Sequence, residues 1–208
     1  MGRYWIFDLD NTLHFADQKI FPQINYKMDS YIQTKLGINK QNSAILRQFY
    51  WDSYGATLVG LVKHHKIDAQ DFLKTTHNII LSEENIIFPK NTKHIIKKIR
   101  AKKLIFTNAP KIYTKKILKH MKIYNFFNRI HSIEDSNFYG KPNQKSFHKL
   151  FKTNKFTRGI MIDDVKENLM MAKKMGLITI WLTKEKYKPS FINYKISNLN
   201  QLRQMRIS

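Results

Sequence analysis

Short runs dominated by apolar residues recur along the chain at residues 4–9, 104–107, 129–133, 159–163 and 178–182. Continuous rather than alternating runs fit strands buried on both faces, as in a parallel sheet with helices above and below. Between them, apolar positions return at helical spacing over residues 92–101, 113–122, 144–151 and 166–175, the last followed by Gly176, a suitable residue just past a helix end. Strands alternating with helices predict an α/β fold built on a doubly wound parallel sheet. The interval from Phe15 to about Phe88 breaks this rhythm, with about three helical patterns and no strand. Pro22 is expected in the first turn of a helix running to Leu36, with Gly37 beyond its end. A second helix is expected over residues 43–54, and Asp68 is a candidate cap for a third. Pro89 marks the return to the sheet. The chain thus divides into an α/β core, residues 1–15 and 89–208, and a helical subdomain, residues 16–88, inserted after the first strand. An insertion there can act as a lid over a pocket. Residues 191–208 read as a short extended piece and then a basic amphipathic helix, with Ile196, Leu199 and Leu202 inward.

Where the apolar runs stop, chemistry begins. The first runs into Asp8-Leu9-Asp10-Asn11-Thr12. Unpaired carboxylates are costly to bury, so the strand ends there and leaves two acids at its carboxyl end, where open α/β sheets bind ligands. Spaced by two, both can face one pocket, one attacking or holding a metal while the other manages a proton. A polar turn after an ordinary strand would look the same. Three later segments argue against that reading: Thr107-Asn108 after the second run, Gly140-Lys141-Pro142 in a stiff turn, and Asp163-Asp164 after the fourth run. Asp163 and Asp164 also suit a helix start before Val165, and both uses are compatible because a helix N-terminus favours acids.

Carboxylates, hydroxyl, lysine and carboxylates in this order resemble the signature of the haloacid dehalogenase-like phosphatases. The resemblance implies a Rossmann-like core with an inserted helical cap. It implies Asp8 as nucleophile, Asp10 as general acid and base, and Mg²⁺ held by Asp8, the backbone carbonyl of Asp10 and Asp164, with Asp163 behind or acting through water. Thr107 and Asn108 would donate to the phosphoryl oxygens, and Lys141 would neutralise Asp8 and the phosphate. Thr12 would hold the loop. A second acid at Asp10 points to phosphoester hydrolysis or phosphomutase chemistry, since a halide needs no proton. Two stretches, 5–13 leading to Phe21-Pro22-Gln23-Ile24, and 50–61, further resemble the pyrimidine 5′-nucleotidase branch. This implies a nucleoside monophosphate such as UMP or CMP as substrate, with Tyr54 and Thr57 as candidate base or sugar contacts. His14 stands where that branch usually has an aromatic residue, and Gly140 where it often has proline. Neither departure is expected to touch the mechanism.

Composition narrows the alternatives. The 208 residues suit one domain with a modest insertion, and 42% apolar content supports a real core. The absence of cysteine excludes disulfides, thiolate nucleophiles and cysteine zinc sites. His64-His65 and His77 lack a third ligand at suitable spacing and read as solvated helix ends. The aromatics Phe49, Tyr50, Trp51 and Tyr54 could stack a base, although at helical spacing they also read as the lid's own core. A net charge of +22 suggests nucleic acid or an anionic membrane. The lysines are scattered, however, and accompany abundant isoleucine, asparagine, phenylalanine and tyrosine, which points to coding bias and solvated helix faces. No run approaches the roughly 20 apolar residues of a membrane helix. Met1-Gly2-Arg3 leads directly into the first strand, and position 6 is not the Ser or Thr that myristoylation of Gly2 would require. The expectation is a cytoplasmic enzyme acting on a small phosphorylated metabolite, with no specific nucleic-acid or membrane partner. A sugar-phosphate phosphatase or phosphomutase is the alternative enzyme, and a basic nucleic-acid-binding protein the alternative from another class.

Overall fold

A computed structural model describes residues 3–82 and 84–205; Gly2 and the last part of the 191–208 segment lie outside the described residues. The strands β1 (Tyr4–Phe7), β2 (Lys102–Phe106), β3 (Arg129–His131), β4 (Gly159–Asp163), β5 (Ile178–Leu182) and β6 (Tyr194–Ile196) form a 6-stranded sheet in the order β3-β2-β1-β4-β5-β6. Every pairing is parallel. β1 lies between β2 and β4, so the order of the sheet reverses beside it, and a crevice opens at the carboxyl ends of these strands.

The helices are α1 (Ala16–Leu36), α2 (Lys40–Tyr54), α3 (Thr57–His65), α4 (Ala69–Thr76), α5 (Thr92–Lys98), α6 (Lys111–His120), α7 (Gln144–Asn154) and α8 (Lys166–Lys174). Both faces of the central strands are buried, which is why β1, β4 and β5 read as nearly continuous apolar runs, whereas the edge strands β3 and β6 carry Arg129, His131 and Lys195. On one face Phe7, Ile105, Ile160, Ile162 and Ile180 pack against Ile95 and Ile96 of α5 and Ile117 and Leu118 of α6. On the other, Ile6, Leu104, Phe106 and Met161 pack against Phe147 and Leu150 of α7 and Leu169 and Ala172 of α8. Each such burial stabilises the fold by about 1.5–3 kcal/mol.

The helices α1–α4 lie between β1 and β2 and share a core of their own, including Tyr31, Ile32, Tyr50, Leu58, Leu61 and Phe72. Several expectations change here. Pro22 lies inside α1 rather than in its first turn. The carbonyl it leaves without an N–H partner is that of Gln18, an exposed residue, so water can take the place of the lost bond. The helix begins earlier because Asn11 Oδ1 accepts the backbone N–H of Asp17 at 3.1 Å. α2 also begins earlier, capped by Asn39, while Asp68 caps α4 as expected. α3 is the helix the pattern did not separate: Gly60 and β-branched Val59 and Val62 weaken its helical signal. The outgoing and returning chains are tied where Phe15 N–H donates to the Ile87 carbonyl at 2.7 Å. Near the end of the described chain, Ile196, Leu199 and Leu202 are buried as expected, on β6 and a 3₁₀ helix (Leu199–Arg203) rather than an α-helix.

Candidate active site

The acids of the sequence meet at the sheet's reversal point. Asp8 N–H donates to the Ile162 carbonyl at 3.0 Å, so the backbone follows β4 for one residue beyond β1. Leu9 enters the apolar core, while Asp8 and Asp10 both line a cavity of 330 Å³ beneath the helical insertion. The loop turns at Asn11, whose φ of 59° is left-handed and tolerable for asparagine, and Leu13 N–H closes it onto the Leu9 carbonyl at 2.8 Å. β4 delivers Asp163 and Asp164, β2 delivers Thr107 and Asn108, and the connection from β3 to α7 delivers Lys141. All of them line the same cavity.

Lys141 Nζ lies 2.7 Å from both Asp8 Oδ1 and Asp163 Oδ2. Asp163 Oδ1 accepts the Val165 N–H at 2.9 Å and Asn168 Nδ2 at 3.0 Å, so this carboxylate is held on both sides. The Thr12 hydroxyl donates to Asp164 Oδ1 at 3.3 Å, and Trp181 Nε1 fixes the Asp164 carbonyl at 2.8 Å. Carboxylate oxygens of Asp8, Asp163 and Asp164 lie within 4.8 Å of one another. Burial pushes Asp8 well above the ordinary carboxylate range; Lys141 opposes this, and Asp163, Asp164 and Asp10 reinforce it. Burial, then Asp163, raises Asp164 to about 7. Burial works against the charge of Lys141, yet Asp163 and Asp8 hold its pKa above the usual lysine value. The site therefore concentrates more carboxylate than Lys141 offsets, and its donors are hard oxygens. That set, Asp8, Asp163 and Asp164, could hold a hard divalent cation such as Mg²⁺.

Asp10 has its own surroundings. Its Oδ1 accepts the Tyr113 hydroxyl at 2.7 Å and lies 2.8 Å from His14 Nε2. His14 is fully buried, and this departure lies directly against Asp10. Thr107 lines the cavity, its hydroxyl oxygen accepting the Ala109 N–H at 3.0 Å. Asn108 is committed differently from expectation. Its Oδ1 accepts the Lys141 N–H at 2.7 Å, and its Nδ2 donates to the carbonyls of Lys141 at 3.0 Å and Gly55 at 3.3 Å. Both amide hydrogens are used in joining the β2 loop, the lysine turn and the insertion, which leaves Thr107 as the side-chain donor of that loop.

On the insertion side, the two sequence candidates are not the main wall. Thr57 lines the cavity, but its hydroxyl donates to the Arg47 carbonyl at 3.0 Å. Tyr54 is absent from the wall: its hydroxyl meets His64 Nε2 at 2.7 Å and its ring packs beside Tyr50 and His64. Phe21, Met28, Arg47 and Trp51 face the cavity instead, with Arg47 Nε held by Asp29 Oδ1 at 2.7 Å. Tyr50 is core and Phe49 is exposed. His64 and His65 sit at the exposed end of α3, as expected. His77 does not fit that reading: it lines the cavity, its ring meets Tyr113 edge-on, and burial lowers its pKa to about 4. Neither Tyr113, in the first turn of α6, nor Arg47 carried a sequence signal of its own.

Over residues 5–182 the chain matches the haloacid dehalogenase-like hydrolase family. Phosphate metabolism protein 8 of Saccharomyces cerevisiae is 24% identical over 195 residues, covering 84% of this chain and 60% of that protein. The chain thus spans less than two thirds of that relative's length. A HAD phosphatase from Thermococcus onnurineus has a TM-score of 0.66 at 19% identity, over 98% of this chain and 97% of that one. The HAD-hydrolase YfnB from Bacillus subtilis, solved bound to magnesium, has a TM-score of 0.63 at 18% identity over the same shares, 98% and 97%. At these identities the solved structures establish the fold. With a family match that runs from within β1 to the end of β5 and takes in the acids at the strand ends, the chain belongs to the haloacid dehalogenase-like hydrolases.

Proposed function

We propose that this protein is a Mg²⁺-dependent phosphomonoester hydrolase that works through an aspartyl-phosphate on Asp8, with pyrimidine nucleoside monophosphates such as UMP and CMP as leading substrates. The observation that carries this reading is the pairing of two carboxylates in one cavity, one gripped by a buried lysine and the other by Tyr113 and His14. Asp8 attacks phosphorus, and its new O–P bond forms as the bond to the leaving oxygen breaks. Asp10 gives that oxygen its proton, then takes one from the water that adds to phosphorus and frees Asp8. Lys141 and Thr107 stabilise the equatorial oxygens. Bound Mg²⁺, held by Asp8, the Asp10 carbonyl and Asp164 with Asp163 behind them, would offset the charge between the phosphoryl group and these acids.

A relative named for phosphate metabolism and a solved phosphatase of the same fold support the phosphatase class. The insertion, residues 16–88, acts as the lid that reads the leaving group. Trp51, 45% exposed and in the wall, offers a stacking face for a base. Arg47 in the same wall also suits the hydroxyls or second anion of a sugar phosphate, which keeps a sugar-phosphate phosphatase or phosphomutase as the second reading. Among the described residues no helix is long and apolar enough to cross a membrane, and we assign the enzyme to the cytoplasm. The test is a phosphate-release screen over nucleoside monophosphates and sugar phosphates with Mg²⁺, repeated with a chelator. UMP and CMP should head the series, and the chelator should abolish release. Preference for sugar phosphates would favour the second reading; no release from any phosphomonoester would contradict both.

A further inference from the structure

We propose that Tyr113 and His14 are positioning residues that clamp one oxygen of Asp10, so that the other, Oδ2, is the oxygen that carries the proton to the leaving group. The inference rests on the general-acid reading of Asp10 given above and adds the machinery that aims it. Both partners meet the same atom: Tyr113 Oη lies 2.7 Å and His14 Nε2 2.8 Å from Asp10 Oδ1. Among the described residues Oδ2 has no such partner, and Asp10 lines the cavity that holds Asp8 and Lys141.

The two donors are set in place. The Tyr113 hydroxyl donates to Oδ1. His14 is 0% exposed, and its Nε2 faces a carboxylate oxygen, which accepts, so the ring hydrogen sits on Nε2 and faces Asp10. An oxygen already accepting two hydrogen bonds is the carbonyl-like end of a carboxylic acid, so the acid's own hydrogen belongs on Oδ2. The ring of His77, which lines the cavity, meets Tyr113 edge-on, with centroids 5.7 Å apart. The arrangement comes from two distant parts of the chain. His14 follows Asp10 in the loop after β1, and Tyr113 stands in the first turn of α6.

A group that aims a proton matters in proportion to how badly the leaving group needs one. Phenyl phosphate and p-nitrophenyl phosphate have nearly the same shape, but phenoxide is far more basic and leaves poorly without a proton. Tyr113→Phe removes one hydrogen bond and keeps the ring. It should lower kcat/KM for phenyl phosphate by about tenfold or more beyond any loss on p-nitrophenyl phosphate, within the usual reach of general-acid catalysis. His14→Leu should shift the ratio in the same direction, whereas His14→Gln, which retains an N–H donor at similar reach, should keep the wild-type ratio. Activity on p-nitrophenyl phosphate reports that each variant has folded. Equal losses on the two substrates in both Tyr113→Phe and His14→Leu would overturn the positioning role while leaving the Asp8 mechanism standing. A wild-type enzyme that hydrolyses neither these two nor any other phosphomonoester would remove the phosphatase reading and this inference with it.

Discussion

Lys141 and Trp51 line the same cavity from opposite sides, and the chemistry assigns them different work. Lys141 touches Asp8 and Asp163, groups that the proposed mechanism sets at the phosphoryl end shared by every substrate. Lys141→Ala should therefore lower kcat/KM for UMP and for a base-free phosphoester by similar factors, on the order of 10²–10³. Trp51→Ala should instead change the ratio of the two by about tenfold, because stacking on a base contributes about 1–3 kcal/mol. Steady-state kinetics on both substrates separates the effects; a uniform loss for Trp51→Ala would remove the indole from substrate recognition. Tyr54→Ala should leave that ratio unchanged, since its hydroxyl is engaged by His64 away from the wall. At this scale the sequence was legible where function forces a residue type onto a strand end. Asp8, Asp10, Asp163 and Asp164 stand out because acids beside apolar runs need a reason, and Lys141 because it stands in a stiff turn before Pro142. Tyr113 did not stand out, because its contact with Asp10 bridges 103 positions and a tyrosine on a helix looks like core.

At the scale of elements, the end of α2 is where the insertion meets the turn that carries Lys141. Gly55 has a left-handed φ of 73°, donates its N–H to the Trp51 carbonyl at 2.8 Å and offers its own carbonyl to Asn108. A Cβ there would run into the Lys141 carbonyl and lie 2.7 Å from Pro142 Cδ. Gly37 ends α1 with a φ of 66°, yet a Cβ on it would meet nothing within 4 Å. The pair separates strain from contact. Gly37→Ala should cost about 1–2 kcal/mol in urea unfolding with turnover unchanged, the expense of a left-handed alanine. Gly55→Ala should cost roughly 1–3 kcal/mol more and lower turnover, because the displaced backbone is that of Lys141. Equal effects of the two substitutions would contradict this coupling of insertion and core. The helix ends at Gly37 and Gly176 were readable from glycine at the close of an apolar period. The α2–α3 break was not, since the sequence there shows aromatics and glycines whose roles depend on Tyr50 packing against Gly60 in the next helix.

At the scale of the molecule, the α/β order was readable because strands buried on both faces must be written as apolar runs, whereas the packing of the lid depends on contacts that no periodicity encodes. The charge is also clearer as a whole. Thirty-seven basic against fifteen acidic residues give +22, yet several of those acids are gathered at one cavity while basic residues are spread over helix faces. Acid stability follows from buried histidine. Burial holds His131, hydrogen-bonded to Ser136 at 2.9 Å, at a pKa of about 4 rather than 6.5. Below pH 6.5 the unfolded chain takes up a proton that the folded chain refuses until about pH 4. Stability should therefore fall across that window, by as much as about 3 kcal/mol from this residue. His77 acts in the same direction. Urea unfolding between pH 7 and 4.5 should show the loss, and His131→Gln should make it shallower; an unchanged slope would rule His131 out as its source. The central claim, that Asp8 carries the phosphoryl group, is tested most directly by acid-quenching the enzyme during turnover of a labelled phosphomonoester with Mg²⁺ and mapping the label by peptide mass spectrometry. One phosphoryl group should appear on the peptide containing Asp8 and none on Asp8→Asn; phosphate release from the wild type with no covalent label, or undiminished release by Asp8→Asn, would contradict it.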